Sequence, residues 1–278
     1  MYISVTYLLL HWFLYNIISM KIRSKVLGII PARLDSTRIK NKMLESIISG
    51  KTLVQLTFER SKKATVLDEL VVATDSDEIE KSATAVGARV IRWPLPLASK
   101  NGTEGVALAL EQFKDFIPDI VVNIWGDEPL YPAEAIDECV NLLMEDEELQ
   151  VSGVADRITD EIVVAEPSVV KVLTDLENNV LSLSRATVPF PYKPGSSYDH
   201  YHIIGVMAMR REFLYRFLEL PQTPLELREG VEQLRILEHG FRMRVVKGDY
   251  RNLGVNMPDE LEKVRAIVAA RQKGDSNV

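Results

Sequence analysis

A dense cluster of basic side chains lies in the segment IIPARLDSTRIKNKML, which begins within the apolar run KVLGII. Arg33, Arg38, Lys40 and Lys42 fall within ten residues, and Asp35 is the single acidic side chain among them. Arginine presents paired N–H donors to phosphate oxygens, and lysine adds a compact positive charge. We therefore predict a site for a nucleoside triphosphate here. The alternative is a solvated basic loop that binds nothing.

Two carboxylates, Asp127 and Glu128, follow a second apolar run, DIVVNIW. Mg²⁺ takes few protein ligands and keeps phosphate oxygens and waters as the others. A carboxylate placed after a buried strand can therefore hold the ion beside a triphosphate. The alternative is a turn before Pro132 that only caps a helix.

Other residues carry weaker signals. Gly50-Lys51-Thr52 imitates the end of a phosphate-binding P-loop, but that motif needs a glycine where Glu45 stands. His200 and His202 would share one face of a strand, and a metal pair there competes with an ordinary surface or core position. Cys139 is predicted to be a buried helix residue rather than a nucleophile, because nothing near it in the sequence suggests a base.

The composition excludes several classes of protein. The chain has 278 residues, of which 46% are hydrophobic and 26% charged, as in an ordinary globular protein. Its formal net charge of -7 argues against nonspecific binding to nucleic acid, which needs a basic face. A single cysteine excludes a disulfide framework and suits a reducing compartment, so we expect a cytoplasmic protein.

The first 20 residues, MYISVTYLLLHWFLYNIISM, differ in character from the rest of the chain. They are mostly apolar, and three basic residues follow them by position 25. Three interpretations stay open: an upstream extension with Met20 as the true start, a membrane anchor with a cytoplasmic basic flank, or a packed helix. We therefore divide the chain into an extension, residues 1–19, and a single domain, residues 20–278.

Short apolar runs alternate with helical patterns in the first half of the chain. The predicted strands are KVLGII, ELVVATD, ARVIRW and DIVVNIWGDEP, and the predicted helices are TLVQLTFERSKKA, DSDEIEKSATAVG and GTEGVALALEQFKDF. Asp75 or Ser76 is the expected cap of the second helix, and Gly87 its expected end. This order predicts an α/β fold with a mostly parallel central sheet and helices on both faces.

The second half predicts further strands on either side of the turn Glu177-Asn178-Asn179, in HIIGVMAMR and in FRMRVVKG. One helix is expected in PLELREGVEQLRILEHG, with Leu227, Val231 and Leu234 on one face and Gly240 at its end, and a closing helix in MPDELEKVRAIVAARQ. Ligands of a parallel α/β sheet bind beyond the carboxyl ends of its strands. We therefore expect both polar segments at one edge of the sheet.

Eight segments, in order, resemble the CMP-sugar-acid synthetases, and most of all the 3-deoxy-manno-octulosonate cytidylyltransferases. They are IIPARLDSTRIKNKML, VVATDSDEI, NGTEG, VVNIWGDEPL, VVKVL, LSLSRATVPF, LELREGVEQLRILEHG and GVNMPDELEKV. The resemblance implies the glycosyltransferase-A-like fold of the nucleotide-diphospho-sugar transferases and a homodimer. It also implies a Mg²⁺-dependent reaction that joins CTP to an ulosonic acid and releases pyrophosphate.

The resemblance assigns roles by position. The implied catalytic residues are Arg33, Arg38, Lys42 and Asp127. The implied nucleotide site comprises Ala32, Arg33, Ser36, Arg38, Lys42, Asp75, Asn101, Gly102 and Thr103. The implied contacts to the sugar acid are Trp125, Glu128, Arg185, Glu232 and Gln233. The implied metal ligands are Asp127 and Asn256.

The chain departs from the family pattern mainly where the resemblance places the sugar. The family has glutamine, arginine, histidine and tyrosine in place of Trp125, Gly105, Ile203 and Met207, and aspartate in place of Asn256. We therefore predict a cytidylyltransferase that uses CTP and 3-deoxy-manno-octulosonate or a related acidic sugar. The alternatives are a nucleotidyltransferase for another sugar or sugar phosphate, and a catalytically weak sugar-nucleotide-binding protein, tethered to a membrane if the N-terminal extension is an anchor.

Overall fold

The computed structural model describes residues 23–34, 36, 38–92, 102–193 and 197–274. The strands are β1 Val26–Ala32, β2 Ser46–Ile48, β3 Lys51–Thr52, β4 Glu69–Thr74, β5 Arg89–Arg92, β6 Ile120–Ile124, β7 Val151–Arg157, β8 Lys171–Thr174, β9 Val180–Ser184, β10 Tyr201–Arg210 and β11 Met243–Gly248. The helices are α1 Leu53–Ser61, α2 Asp77–Thr84, α3 Gly102–Gln112, α4 Glu134–Glu145, α5 Glu161–Ala165, α6 Arg211–Glu219, α7 Pro224–Glu229, α8 Gln233–Glu238 and α9 Pro258–Gln272, and a 3₁₀ turn spans Lys42–Leu44.

Within the described ranges, the centre of the fold is a nine-stranded mixed sheet. Its main path runs β11-β7-β10-β6-β1-β4-β5, with β8 paired to β10 and β9 paired to β8. Four of the six pairings along the main path are parallel, and β10 supplies the two antiparallel ones. The prediction of a mostly parallel central sheet is therefore confirmed.

Strand β1 lies inside the sheet, between β6 and β4, and its side chains alternate between two layers of core. Val26 and Ile30 pack in one hydrophobic cluster, and Leu27 and Ile29 pack in the other, all four at 0% exposure. Helices cover both faces of the sheet, with α4 and α9 in the first cluster and α3 and α6 in the second. The basic segment leaves the sheet at the carboxyl end of this strand.

Helix α2 begins at a single capping residue. The side chain of Ser76 accepts hydrogen bonds from two backbone N–H groups of the first turn, as a good N-cap does. Asp75 instead accepts a hydrogen bond from the backbone N–H of Leu34, at 3.3 Å, and so joins β4 to the loop after β1. Gly87, at φ +78°, follows the helix, where a left-handed conformation favours glycine.

The single helix predicted between Pro224 and Gly240 is wrong. Gly230 has φ +63° and ends α7, and α8 begins at Gln233. A three-and-four spacing of leucine and valine suggested one continuous apolar face, but Leu227 is 65% exposed. The break matters for the site, because it turns residues 231–233 inward.

Six elements have no counterpart among the predicted ones: β2, β3, α4, β7, α5 and α6. None of the helices in the described ranges has both the length and the apolar character that crossing a membrane requires.

The N-terminal residues 1–20 lie outside the described residues. The start-site, anchor and packed-helix interpretations all depend on these residues.

Candidate active site

A cleft of about 710 Å³ lies beyond the carboxyl ends of β1 and β6, and both polar segments line it. The predicted site residues that line it are Arg33, Ser36, Arg38, Lys42, Gly102, Trp125, Asp127, Glu128, Arg185, Glu232, Gln233 and Asn256. Ala32 and Thr103 are buried at 0% and 1% exposure. Asn101 lies outside the described residues. The cleft therefore lies at the predicted edge of the sheet.

The basic segment is joined to the carboxylate end of β6 by Lys42. Its Nζ donates to Asp127 Oδ2 at 2.6 Å and to the carbonyl oxygen of Val255 at 2.9 Å. The backbone N–H of Val255 in turn donates to the carbonyl of Asp127, at 2.8 Å. The next residue, Asn256, presents Oδ1 to a guanidinium nitrogen of Arg38 at 3.4 Å. Both predicted metal ligands thus lie against the basic segment.

The oxygen ligands that Asp127 and Asn256 offer fit Mg²⁺ better than they fit a metal ion that only protein groups coordinate. Asp127 offers carboxylate oxygens and Asn256 an amide oxygen, which are hard ligands of the kind that Mg²⁺ prefers. Within the part of the chain that the structure describes, no group of three or more His, Cys, Asp or Glu residues could hold a metal ion. A site with two oxygen ligands therefore suits an ion that completes its shell with phosphate and water.

Glu128 lies at the same strand end and lines the same cleft, but it has different hydrogen-bond partners. It accepts hydrogen bonds from the backbone N–H of Gly205, at 2.8 Å, and from the side-chain amide of Asn252, at 2.6 Å. Burial, with the neighbouring Asp127 carboxylate, raises the pKa of Glu128 to about 7. The side chain therefore ties strand β10 and the loop after β11 to the floor of the cleft.

The break between α7 and α8 brings Glu232 into the cleft. Its carboxylate accepts hydrogen bonds from Thr103 Oγ1 at 2.8 Å and from the backbone N–H of Thr103 at 3.3 Å. Burial raises the pKa of Glu232 to about 7. The turn predicted to lie near the cytidine and the glutamate predicted to face the sugar are therefore in direct contact.

Arg185 is held to the wall of the cleft by backbone carbonyls. Its Nε donates to the carbonyl of Glu229 at 2.6 Å, and its Nη1 donates to that of Pro167 at 2.7 Å. Lys171, at 0% exposure, braces the same wall. Its Nζ donates to three carbonyl oxygens, those of Glu166, Val169 and Arg185, at 2.9, 2.8 and 2.6 Å. All three protons of the ammonium group are thereby used.

The positions that depart from the family pattern differ in their surroundings. Ile203 lines the cleft, whereas Met207 is 3% exposed and packs in the core beneath it. Trp125 packs over strand β10, where a Cβ on Gly205 would lie 2.5 Å from the Trp125 Cβ. Of these two positions, only Ile203 is therefore among the residues that line the cleft.

Sequence reasoning missed several residues that line the cleft, among them Asn252 and Gly254 in the loop after β11. His202 also lines it, with Nε2 3.8 Å from Asp156 Oδ2, while His200 Nδ1 lies 3.1 Å from the carbonyl of Val188. The two histidines thus have separate partners. The sequence carried one signal for the bracing role of Lys171, namely a lysine inside the apolar run VVKVL.

The motif-like residues set aside from the sequence have structural roles. Lys51 pairs with Glu59 at 2.6 Å, and Thr52 caps α1, so the P-loop imitation is a hairpin turn followed by a helix start. Cys139 is fully buried in α4, with Sγ 3.3 Å from Ser152 Oγ. Burial raises the pKa of the Cys139 thiol to about 11, which suits an inert core residue.

Comparison with known proteins agrees with this arrangement. The cytidylyltransferase family profile matches residues 27–246. The 3-deoxy-manno-octulosonate cytidylyltransferase of Solibacter usitatus is 38% identical over 246 residues, which cover 88% of this chain and 95% of that protein. The mitochondrial 3-deoxy-manno-octulosonate cytidylyltransferase of Arabidopsis thaliana is 38% identical over 255 residues, covering 91% and 86%.

Two solved structures have the same fold. A CMP:2-keto-3-deoxy-manno-octonic acid synthetase in complex with CTP aligns with a TM-score of 0.82 at 30% identity, over 89% of this chain and 100% of that one. A 4-diphosphocytidyl-2C-methyl-D-erythritol synthase from Anaerococcus prevotii aligns with a TM-score of 0.60 at 16% identity, over 90% of this chain and 99% of that one. The second likeness concerns the fold alone. From its sequence profile and its relatives, the chain belongs to the cytidylyltransferase family.

Proposed function

We propose that the protein transfers CMP from CTP to an acidic sugar, 3-deoxy-manno-octulosonate or a related ulosonic acid, and releases pyrophosphate. The observation that carries the proposal is one cleft in which Lys42 joins the basic segment to Asp127, and which Arg185, Glu232 and Gln233 also line. Relatives at 38% identity bear the name of this activity, and a structure with the same fold was solved with CTP.

The reaction needs positioning and charge rather than covalent help from the protein. A sugar hydroxyl oxygen attacks the α-phosphorus of CTP, the bond from that phosphorus to the pyrophosphate oxygen breaks, and the hydroxyl proton passes to solvent. Arg33, Arg38 and Lys42 would bind the triphosphate oxygens and hold the α-phosphorus in line with the acceptor. Their positive charges would also stabilise the pyrophosphate as it leaves.

Asp127 and Asn256 are the residues that would hold Mg²⁺. The ion, when bound, would offset phosphate charge and lower the pKa of the attacking hydroxyl. One of the two ligands is neutral, so this chain would hold the ion less tightly than a pair of carboxylates would. Asp127 would then supply the only formal negative charge of the pair.

The sugar acid would lie against Trp125, Glu128, Arg185, Glu232 and Gln233. Ile203 makes this end of the cleft more apolar than a histidine would, and an apolar contact cannot replace a hydrogen bond to a hydroxyl without changing specificity. We infer that the acceptor is a modified or related ulosonic acid. The homodimer, the cytoplasmic location and the single domain from residue 20 onward stay predictions.

A pyrophosphate-release screen tests the proposal. CTP, ATP, GTP and UTP are each paired with a panel of ulosonic acids, nonulosonic acids and sugar phosphates in the presence of Mg²⁺. We expect release with CTP and at least one acid, and little with the other nucleotides. Equal release with all four nucleotides would remove cytosine selectivity, and release only with sugar phosphates would replace the proposed acceptor class.

A further inference from the structure

Arg235 is a charged side chain in α8 that the proposed reaction does not use, and it is only 2% exposed. Its Nε and Nη2 donate to the two carboxylate oxygens of Glu226 in α7, at 2.8 and 2.5 Å. The guanidinium also lies over the ring of Phe217 in α6, 4.5 Å from the ring centroid. A buried ion pair carries a desolvation cost and is by itself weak evidence for stability. A charge in this position therefore calls for a further role.

The remaining guanidinium nitrogen indicates that role. Arg235 Nη1 lies 4.0 Å from Glu104 Oε1, in the first turn of α3. The residue before Glu104 is Thr103, whose hydroxyl and backbone N–H both donate to the carboxylate of Glu232. Two successive residues of α3 thus meet two residues at the start of α8. Arg235 therefore contacts the same helix start that Thr103 joins to Glu232.

The position of Glu232 depends on how these helices are held. The first backbone N–H groups of a helix have no partner within it, and Glu232 accepts one of them, that of Thr103, at 3.3 Å. Glu232 follows the break at Gly230, so no continuous helix carries it into the cleft. Its position is set by contacts that fix α7 and α8 relative to α3. Arg235 makes such contacts to both α7 and α3.

We propose that Arg235 is a positioning residue that acts through Glu232. It holds the start of α8 against the start of α3 and so fixes where the Glu232 carboxyl group lies in the cleft. The paired bonds to Glu226 orient the guanidinium, and the contact with Glu104 completes the connection. The consequence for substrates rests on the proposed function, in which Glu232 and Gln233 face the sugar acid.

The double variant Arg235→Met/Glu226→Gln tests this role. Arg235→Met alone would leave a buried charge unpaired and destabilise the fold, whereas the double variant removes both charges. The glutamine keeps an oxygen for the backbone N–H of Thr223, which donates to Glu226 at 3.3 Å. We expect a melting temperature close to that of the wild type. We also expect faster hydrogen exchange of the Thr103 N–H, followed by NMR, because its acceptor is no longer fixed. The KM of the sugar acid should rise about fivefold, and more than that of CTP.

Glu104→Gln separates the contact to α3 from the buried ion pair, because it leaves Arg235 and Glu226 in place. We expect the same changes at a smaller size, with the KM of the sugar acid raised about twofold. This variant decides the question if the double variant does not fold.

Arg210→Met is the matched control. Arg210 is also partly buried, and it donates to the carbonyls of Leu143 and Leu149 at 2.7 and 2.9 Å. It is the last residue of β10, whereas His202 and Ile203 of the same strand line the cleft. Its loss should lower the melting temperature and leave the Thr103 exchange rate and both KM values unchanged. A positioning role and a purely stabilising role are thereby distinguished.

Unchanged exchange of the Thr103 N–H in the double variant would overturn the proposal, and so would faster exchange with unchanged or equally raised KM values. The same outcomes apply to Glu104→Gln if it replaces the double variant. Failure of the proposed function is recognised separately, because the wild-type protein would then show no turnover with any acid. The exchange measurement needs no substrate, so in that case faster exchange supports the positioning of Glu232 and unchanged exchange overturns it.

Discussion

Lys42 Nζ lies 2.6 Å from Asp127 Oδ2, so a single ammonium group joins the basic segment after β1 to the carboxylate at the end of β6. The Lys42 and Asp127 side chains are 12% and 27% exposed, which keeps the pair partly shielded from water. A triphosphate that reaches Lys42 would compete with Asp127 for its protons. On the proposed function, nucleotide binding would therefore be coupled through this lysine to release of the Asp127 carboxylate toward a metal.

The first prediction concerns Asp127→Asn. We expect at least about a hundredfold loss of turnover at saturating Mg²⁺, because the only charged ligand of the proposed metal site is removed. The melting curve should stay close to that of the wild type. Asp137→Asn is the control, since Asp137 bonds to the backbone of Thr65 and Val66 outside the cleft, and its turnover should be normal. Full activity in Asp127→Asn would refute the metal assignment.

The second prediction concerns Asn256→Asp. Charge count tunes affinity at oxygen-ligand metal sites, so a second carboxylate should lower the Mg²⁺ concentration that gives half-maximal turnover. The variant also gains a charge-assisted contact to Arg38, which lies 3.4 Å from Asn256 Oδ1. A Mg²⁺ titration of the rate measures the effect. An unchanged or higher requirement would mean that the site has adapted to the neutral ligand.

Lys171→Met gives the third prediction. The substitution leaves three carbonyl oxygens without their ammonium donor, so we expect the free energy of unfolding to fall by about 2 kcal/mol. One of those carbonyls belongs to Arg185, so the KM of the sugar acid should rise more than that of CTP. Chemical denaturation and steady-state kinetics measure the two effects. Lys63→Met, at an exposed position, is the control. Equal changes in the two KM values of Lys171→Met would argue against a positioning role for Lys171.

The fourth prediction concerns Ile203→His. Ile203 lines the cleft, so a histidine there would offer a hydrogen bond to an acceptor hydroxyl. We expect 3-deoxy-manno-octulosonate to gain in kcat/KM relative to the preferred acid. Met207→Tyr should instead destabilise the fold, because Met207 is 3% exposed in the core and inserting a larger side chain into a packed core costs stability. Efficient use of 3-deoxy-manno-octulosonate by the unaltered protein would show that Ile203 does not restrict the acceptor.

The fifth prediction concerns pH. Burial raises the pKa of Glu232 from 4.5 to about 7, so the folded state holds a proton that the unfolded state has released between those values. The contribution of Glu232 to the free energy of unfolding therefore falls as the pH rises from 4.5 to about 7. Glu232→Gln should remove this part of the slope, as measured by urea denaturation across that range. Glu219→Gln, at an exposed position on α6, is the control. A slope unchanged by Glu232→Gln would show that the carboxyl group is ionised throughout.

The sequence predicted the sheet and the edge that carries the site because both depend on local patterns. The apolar run of β1 is buried on both faces, and the charged residues that follow it cannot enter the core. The break at Gly230 could not be predicted in this way. A helical spacing of leucine and valine continues across that glycine, whereas Gly230 adopts a left-handed conformation and ends the first helix.

Contacts between distant residues limited the prediction of the site. Arg185 and Glu229 meet across 44 positions, and Lys42 meets Asp127 across 85. Asn123 stands in an otherwise apolar strand, and its sequence could not predict that its buried amide has no hydrogen-bond partner among the described residues. Residue types at strand ends predicted the chemistry of the cleft, but not which buried groups support it.

The identity of the product tests the central claim most directly. The protein is incubated with CTP, Mg²⁺ and the acid that gives the highest pyrophosphate release, and the mixture is analysed by ³¹P NMR and mass spectrometry. The account predicts a CMP–sugar phosphodiester formed in equal amount to pyrophosphate, and its loss in Asp127→Asn. Formation of CMP or CDP with no sugar conjugate, or a conjugate made equally well by Asp127→Asn, would contradict it.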